Sequence, residues 1–405
     1  MSKTLRVGSG AAWWGDRVEP AALNAERGQL DYLCFETMAE ATVSAAQVRA
    51  RRDPSFPGYD TYLDDRMRAV LPACMRNGTR IISNQGWINP TAAAKRIVEL
   101  LQELGFHGVK VAAVGGSLIT ERVLELTDTI LENGEPTRSL APSLISAEVY
   151  LGAEPIVEAL KAGAQIVVTG RVADPSIFMA PMMFEFGWDP LDHERVGAGN
   201  GIGHLLECGA QVTGGYFSDP GFKDVPEPWN FAFPIAEVQA NGDVVITKVE
   251  GSGGAVTLQT VKEQMLYEVH DPANYLTPDV VVDFTKARLE QIAPDRVRVT
   301  GLTGKPRTPT LKVSIGCTEG FIGEDMFFYA GPGALRRATL AKKVLEERFK
   351  IVKLVAEDMR IEVLGINAIH GDATPADAPE PDEIAVRVAA RTLTREEAVK
   401  VGREV

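Results

Sequence analysis

The chain has 405 residues, a formal net charge of -13, 45% hydrophobic residues and 24% charged residues. That composition belongs to a globular protein long enough for two or three domains, and its negative charge argues against nucleic acid or an anionic membrane as a bulk partner. The four cysteines (Cys34, Cys74, Cys208 and Cys317) form no CxxC pair, the N-terminus has no apolar signal core, and no run approaches the ~20 apolar residues of a spanning helix; a cytoplasmic location is expected.

In chain order, short apolar runs end in glycine or polar residues. LRVGSG (5–10), LDYLCFE (30–36), RIISNQG (80–86), VKVAAVGG (109–116) and AQIVVTG (164–170) read as strands, with AEVYL (147–151) as a short strand or a helix start. Helical patterns fill the intervals at 38–52, 62–78, 91–105, 155–163 and 175–187. Strand–helix alternation of this length predicts βαβ units and a mostly parallel sheet, and hence an α/β fold. An open doubly wound sheet is the favoured form, and a barrel also fits. Asn89-Pro90 and Asp174-Pro175 each supply an N-cap residue followed by proline, a helix-start signal.

A glycine-rich stretch, GAGNGIGHLLECGAQVTGGYFSDPG (197–221), then interrupts the pattern. After it come a proline- and aromatic-rich connection (219–234), a hairpin signal at Asn241-Gly242, a helix in 251–269, strands at 296–302 and 310–316, a helix at 333–349, and strands at 361–367 and 383–392 around a loop at 371–382. Strands in runs with fewer helices indicate α+β. The expected division is an α/β domain over 1–215 and a smaller α+β domain over 216–405, with the glycine stretch as junction. The chain stops within the helical pattern TREEAVKVGREV, so a C-terminal tail is expected to be missing.

Ligands bind open α/β sheets and barrels at the carboxyl ends of the strands. Arg171, after Gly170 and facing a helix start, has the chemistry to hold a carboxylate or phosphate; the plainer reading pairs it with Asp174 to fasten the turn. Glu36 ends its strand and is a candidate general base, and a Thr37/Glu40 capping box accounts for Glu40. Asn84 and Gln85 end the next strand, as donors to a carbonyl oxygen or as turn residues. His204 and Glu207 share a helix face with Cys208 and form a candidate acid/base pair. As metal ligands they are too few, and no metal is expected. Gly251-Ser252-Gly253-Gly254 opens a helical pattern and resembles a phosphate cradle, but it is not a P-loop. The first strand end is not a dinucleotide fingerprint, so no redox cofactor is expected.

VGSGAAWWGDRVEPA, LDYLCFETMAE, GRVADPSIF, HLLECGAQVTGGYFSDPGFKDVP, FPIAEV, LYEVHDPANYLTPDV and YAGPGA, in that order, resemble the acyclic terpene utilisation family from about residue 5 to about residue 350. The resemblance implies catabolism of citronellol- and geraniol-type terpenes, whose pathways act on CoA thioesters of branched acids. It also implies a glycine-rich tail and a small partner protein in some members. It supplies no catalytic residues. The leading expectation is a hydratase or lyase acting on a carboxylic acid or acyl-CoA, with CoA entering as part of the substrate, and a homo-oligomeric state. The alternatives are a non-catalytic subunit working with a small partner protein, and a metal-dependent hydrolase using His204 and Glu207.

Overall fold

The structure, a computed structural model, describes residues 3–375 and 379–405; positions 376–378, inside the loop expected at 371–382, lie outside the described residues. Two compact units divide the chain, Met1–Cys317 and Thr318–Val405.

The first unit begins with β1 (Thr4–Ala11), α1 (Glu19–Arg27), β2 (Tyr32–Phe35), α2 (Glu40–Arg52), α3 (Leu63–Asn77), β3 (Arg80–Ser83), α4 (Pro90–Glu103) and β4 (Val111–Val114). It continues with β5 (Leu144–Val149), α5 (Glu154–Lys161), β6 (Ile166–Thr169), α6 (Asp174–Phe186) and α7 (His193–Glu207). It ends with β7 (Ile235–Gln239), β8 (Val244–Thr247), α8 (Leu258–Leu266), β9 (Tyr275–Leu276), β10 (Val281–Asp283), β11 (Arg288–Ala293), β12 (Arg296–Thr300), β13 (Thr303–Lys305) and β14 (Val313–Cys317).

Nine strands form one open sheet in the order β11-β12-β8-β7-β1-β2-β3-β6-β4. The block from β1 to β4 is parallel, and β7, β8, β12 and β11 extend it antiparallel from the far side of β1. β4 and β11 stand at the two ends, so the sheet is open and no barrel closes. Central strands such as YLCF and IVVT are apolar and buried throughout, because helices cover both faces. Tyr32, Cys34, Ile82 and Val167 face α5, α6 and α7. Leu33, Phe35, Ile81 and Val168 face α1, α3 and α4, giving the two-residue period of a strand between two layers.

The division expected at residues 215/216 is not where the chain separates. Strands on both sides of that point hydrogen-bond into one sheet, and the units part at Cys317/Thr318. The pattern does change after residue 215, from parallel to antiparallel, but within the same sheet. Nor is the glycine stretch a junction of domains. Its first part is α7, buried from Val196 to Glu207. A Cβ on Gly203 would lie 2.3 Å from the Pro175 carbonyl oxygen, and one on Gly197 would lie 2.3 Å from Gly304 N. The glycines allow α7 to pack closely against the start of α6 on one side and β13 on the other.

The second unit comprises β15 (Phe321–Ala330), α9 (Ala334–Ile351), β16 (Asp358–Leu364), β17 (Glu383–Thr392) and α10 (Arg395–Glu404). Its antiparallel sheet runs β15-β17-β16, and Leu345, Phe349, Val386, Val388 and Val401 build its core. This unit carries the expected α+β character, and Thr394 caps α10 by accepting from Glu397 N. β15 is an edge strand on which Ile322 and Phe328 are 70% and 72% exposed.

Candidate functional site

Strands β2, β3 and β6 are neighbours, so Glu36, Asn84 and Arg171 leave their carboxyl ends side by side. β3 leads to α4 on one face of the sheet and β6 leads to α6 on the other. The crevice between them is a topological switch point, the place where open α/β sheets take ligands.

Each side chain is fixed by local geometry. The Asn84 amide donates from Nδ2 to Glu36 Oε1 at 2.9 Å and accepts at Oδ1 from Thr37 N at 2.7 Å. Met38 N adds a second donor to the same Glu36 oxygen at 2.7 Å. Arg171 is 1% exposed. One of its terminal nitrogens lies 3.0 Å from Asp174 Oδ1, but outside hydrogen-bonding alignment, and 3.9 Å from Glu40 Oε1. The guanidinium carbon sits 4.0 Å from the centre of the Tyr150 ring, a cation–π contact. Its Nε and Nη1 have no protein partner. These two donors lie on different edges of the buried guanidinium, and each forms a fork with Nη2 that matches a planar anion.

The surrounding carboxyls are held away from their ordinary ionisation. Burial, reinforced by the neighbouring charge of Asp174, pushes Glu36 up to about 8. Asp174 is raised too, by burial of the carboxyl, against the pull of Arg171. Its side chain remains 32% exposed overall, so the raised value reflects the inward oxygen rather than a sealed group. Glu40 behaves oppositely. Partial desolvation is outweighed by hydrogen bonds from Tyr150 and Lys312 and by the charge of Arg171, which hold it at about 2. Acids whose protonated forms are favoured thus lie near an ionised one and a fixed cation, an arrangement suited to proton transfer.

Close packing of α7 on the start of α6 brings in the second pair. His204 Nδ1 and Glu207 Oε1 are 2.6 Å apart. Burial lowers the imidazole to about 4, and burial followed by the charges of Asp174 and Glu268 raises Glu207 well above its usual range. Both shifts favour the neutral forms of the two groups that share the hydrogen bond between Nδ1 and Oε1. His204 Nε2 and Glu207 Oε2 have no partner. The ring lies 5.1 Å from that of Tyr275 and 5.5 Å from that of Phe284, which explains its desolvation. Among the described residues no three His, Cys, Asp or Glu converge as a metal set.

Other candidates are used by the fold. Gln85 turns away to Asp60, donating at 3.0 Å, and accepts from Ser83 Oγ at 3.1 Å. Gly170 gives room: a Cβ there would lie 2.9 Å from Trp87 O. Gly251-Ser252-Gly253-Gly254 does not open a helix. α8 starts at Leu258 behind a Thr257/Thr260 capping box. The amides of Ser252, Gly253 and Gly254 bond to Val249, Asn230 and Pro226 carbonyls, which removes the donors a phosphate would need. The Thr37/Glu40 capping box is likewise absent. Ala39 is the N-cap of α2, and Glu40 is committed to Tyr150 and Lys312. Asp174 is the first residue of α6 rather than its cap, which leaves its carboxylate to Arg171, whereas Asn89 caps α4 as expected.

Several residues had not been singled out. Asp60 and Arg66 form a fully buried ion pair at 2.6 Å, and Arg66 also donates to Trp14 O at 2.6 Å, tying down the loop after β1. Glu148, 1% exposed, accepts from Ser117; an acid inside the apolar run LISAEVYL was its sequence signal. Glu268 has a left-handed φ of 58°, a sparsely populated conformation for glutamate, and its charge acts on His204 and Glu207.

Among the described residues no helix is long and apolar enough to cross a membrane. No curated protein and no solved structure was found to match the chain. A family model described as acyclic terpene utilisation family protein AtuA matches residues 5–405. A match over that span, on a chain whose carboxyl-edge crevice is built from the same GRVADPSIF and HLLECGAQ segments that carry the sequence resemblance, makes this protein a member of the acyclic terpene utilisation AtuA family.

Proposed function

We propose that the chain is an enzyme of acyclic terpenoid or branched-chain acid catabolism, a hydratase or lyase acting on a carboxylic acid or its acyl-CoA thioester. The observation that carries this reading is the Arg171 guanidinium, buried at the switch point with Nε and Nη1 vacant and raised-pKa carboxyls around it. Either of those nitrogens, forked with Nη2, would hold the carboxylate or the thioester oxygen. Polarising that oxygen favours addition of water across the adjacent double bond. A group of the crevice in its deprotonated form then takes the proton from water as its oxygen attacks the far carbon, and a protonated carboxyl delivers a proton to the near carbon. Glu36, Asp174 and the Glu207–His204 pair are the groups with the ionisation behaviour for these roles.

Calorimetric titration with 3-methylbut-2-enoate and with its CoA thioester tests the reading, alongside an assay for water addition. Binding that disappears in an Arg171→Met variant of unchanged stability is the expected result. If neither compound binds, or if the variant binds as the parent does, the reading fails.

A second reading, a subunit that turns over only with a small partner protein, is favoured by one observation, the exposed apolar side chains of edge strand β15. Purification from the native host distinguishes it: a stoichiometric second chain, required for turnover, supports this reading against the first.

A further inference from the structure

Behind Arg171 lies a buried acid that the proposed chemistry does not use. The Arg171 backbone N–H donates to Ser117 Oγ at 3.3 Å, and Ser117 Oγ donates to Glu148 Oε2 at 3.3 Å. Ser117 follows β4, and Glu148 lies on β5, opposite Ser314 of β14. The Ser117 hydroxyl therefore links three elements at the turn that carries the guanidinium. A Cβ on Gly170 would lie 3.1 Å from the same hydroxyl oxygen, so the turn has little room to move. Glu148 Oε1 is buried and has no partner. A carboxyl left with one vacant oxygen in an apolar setting needs a proton, a water or a nearby cation. Arg171 is the charged group whose field acts on it.

We propose that Glu148 is a positioning residue of the Arg171 site: through Ser117 it holds the turn that carries the guanidinium, and in its ionised form it competes with an incoming carboxylate for that charge. The proposal rests on the reading of Arg171 as the carboxylate site. Burial pushes Glu148 up to about 7, against the Ser117 hydrogen bond and the charge of Arg171. The switch between its forms therefore falls near neutrality. Arg171 is also faced by Glu36 from the end of β2, Glu40 from α2, Tyr150 from the end of β5 and Asp174 from α6. Lys312 stacks on the same Tyr150 ring at 4.6 Å. Glu40, held at about 2, stays ionised near neutrality, whereas Glu36, pushed up to about 8, titrates close to Glu148 and has to be removed to isolate it.

The test begins on the ligand-free protein. With arginine labelled by nitrogen-15, the Nε–H resonance of Arg171, identified by its loss in Arg171→Lys, is followed from pH 5.5 to 9. A transition centred near 7 is expected in the parent and in Glu36→Gln; it is lost in Glu148→Gln, whose amide still accepts from Ser117 and which keeps only the transition near 8 that Glu36 contributes. Ser117→Ala removes a hydrogen bond to the ionised carboxylate, so its transition should move to higher pH. A resonance that does not shift in the parent, or that shifts equally in Glu148→Gln, overturns the proposal whatever the protein binds. In the second arm, 3-methylbut-2-enoate is titrated at pH 6.5 and 8. Its affinity is expected to fall several-fold more in the parent than in Glu148→Gln; equal falls in both remove the competition from the proposal. If the parent binds no 3-methylbut-2-enoate, the carboxylate reading of Arg171 fails, and with it the competition, while the resonance still decides the link between Glu148 and Arg171.

Discussion

Replacing Glu36 by Gln should make the first unit's stability much less dependent on pH. Glu36 is 5% exposed and is raised from 4.5 to about 8, first by burial and then by the charge of Asp174. Because the folded value lies above the unfolded one, the fold favours the protonated form. That contribution is whole below pH 4.5 and is lost as pH rises to about 8. At ~1.4 kcal/mol per unit, the interval amounts to roughly 5 kcal/mol, an upper figure because Asp174 titrates with Glu36. The amide keeps an acceptor for Asn84 and Met38, so the hydrogen bonds at 2.9 and 2.7 Å survive the change. All five tryptophans lie in the first unit, so urea unfolding followed by their fluorescence reports on it alone. Stability relative to the parent should rise by a few kcal/mol between pH 5 and 8.5. Parallel curves for parent and variant across that range would show that Glu36 does not carry a displaced ionisation.

Three further outcomes follow from the geometry. Asp60→Ala leaves the Arg66 guanidinium buried at 0% exposure without its counter-charge, and should cost about 3–5 kcal/mol in the same denaturation assay. Gly203→Ala forces a methyl group to 2.3 Å from the Pro175 carbonyl oxygen, so α7 must shift; a loss of about 1–3 kcal/mol is expected, with altered histidine chemical shifts for His204. Asn89→Ala removes the acceptor for Ala92 N and should cost about 1 kcal/mol, a control showing the size of an ordinary cap.

The parallel half of the fold was legible because apolar runs such as LDYLCFE and AQIVVTG leave little choice of partner layer. The strand ends were legible too: Glu36, Asn84 and Arg171 fall together because their strands are adjacent. The position of the second unit's boundary was not. The switch from parallel to antiparallel after residue 215 looks in sequence like a change of domain, yet β7 finds its hydrogen-bond partner in β1. No local periodicity encodes a pairing that distant. The GSGG stretch misled for a related reason. Glycine marks close backbone approach, and sequence does not say whether the approaching group is a phosphate or, as here, the carbonyls of Glu227 and Asn230. Glu148 was passed over because its meaning depends on Ser117, which reaches it from another strand end.

β1 has a consequence for how the chain is made. It is a central strand whose two neighbours arrive at very different times. β2 follows almost at once, whereas Gly8 waits for Ile235. At ~5–20 residues per second of synthesis, the interval is roughly 10–45 s. Over that time the apolar edge of β1 has no strand on its second side. A chaperone or a transient pairing has that window to act on. Truncations that end before β7 should therefore aggregate even though the parallel block is complete.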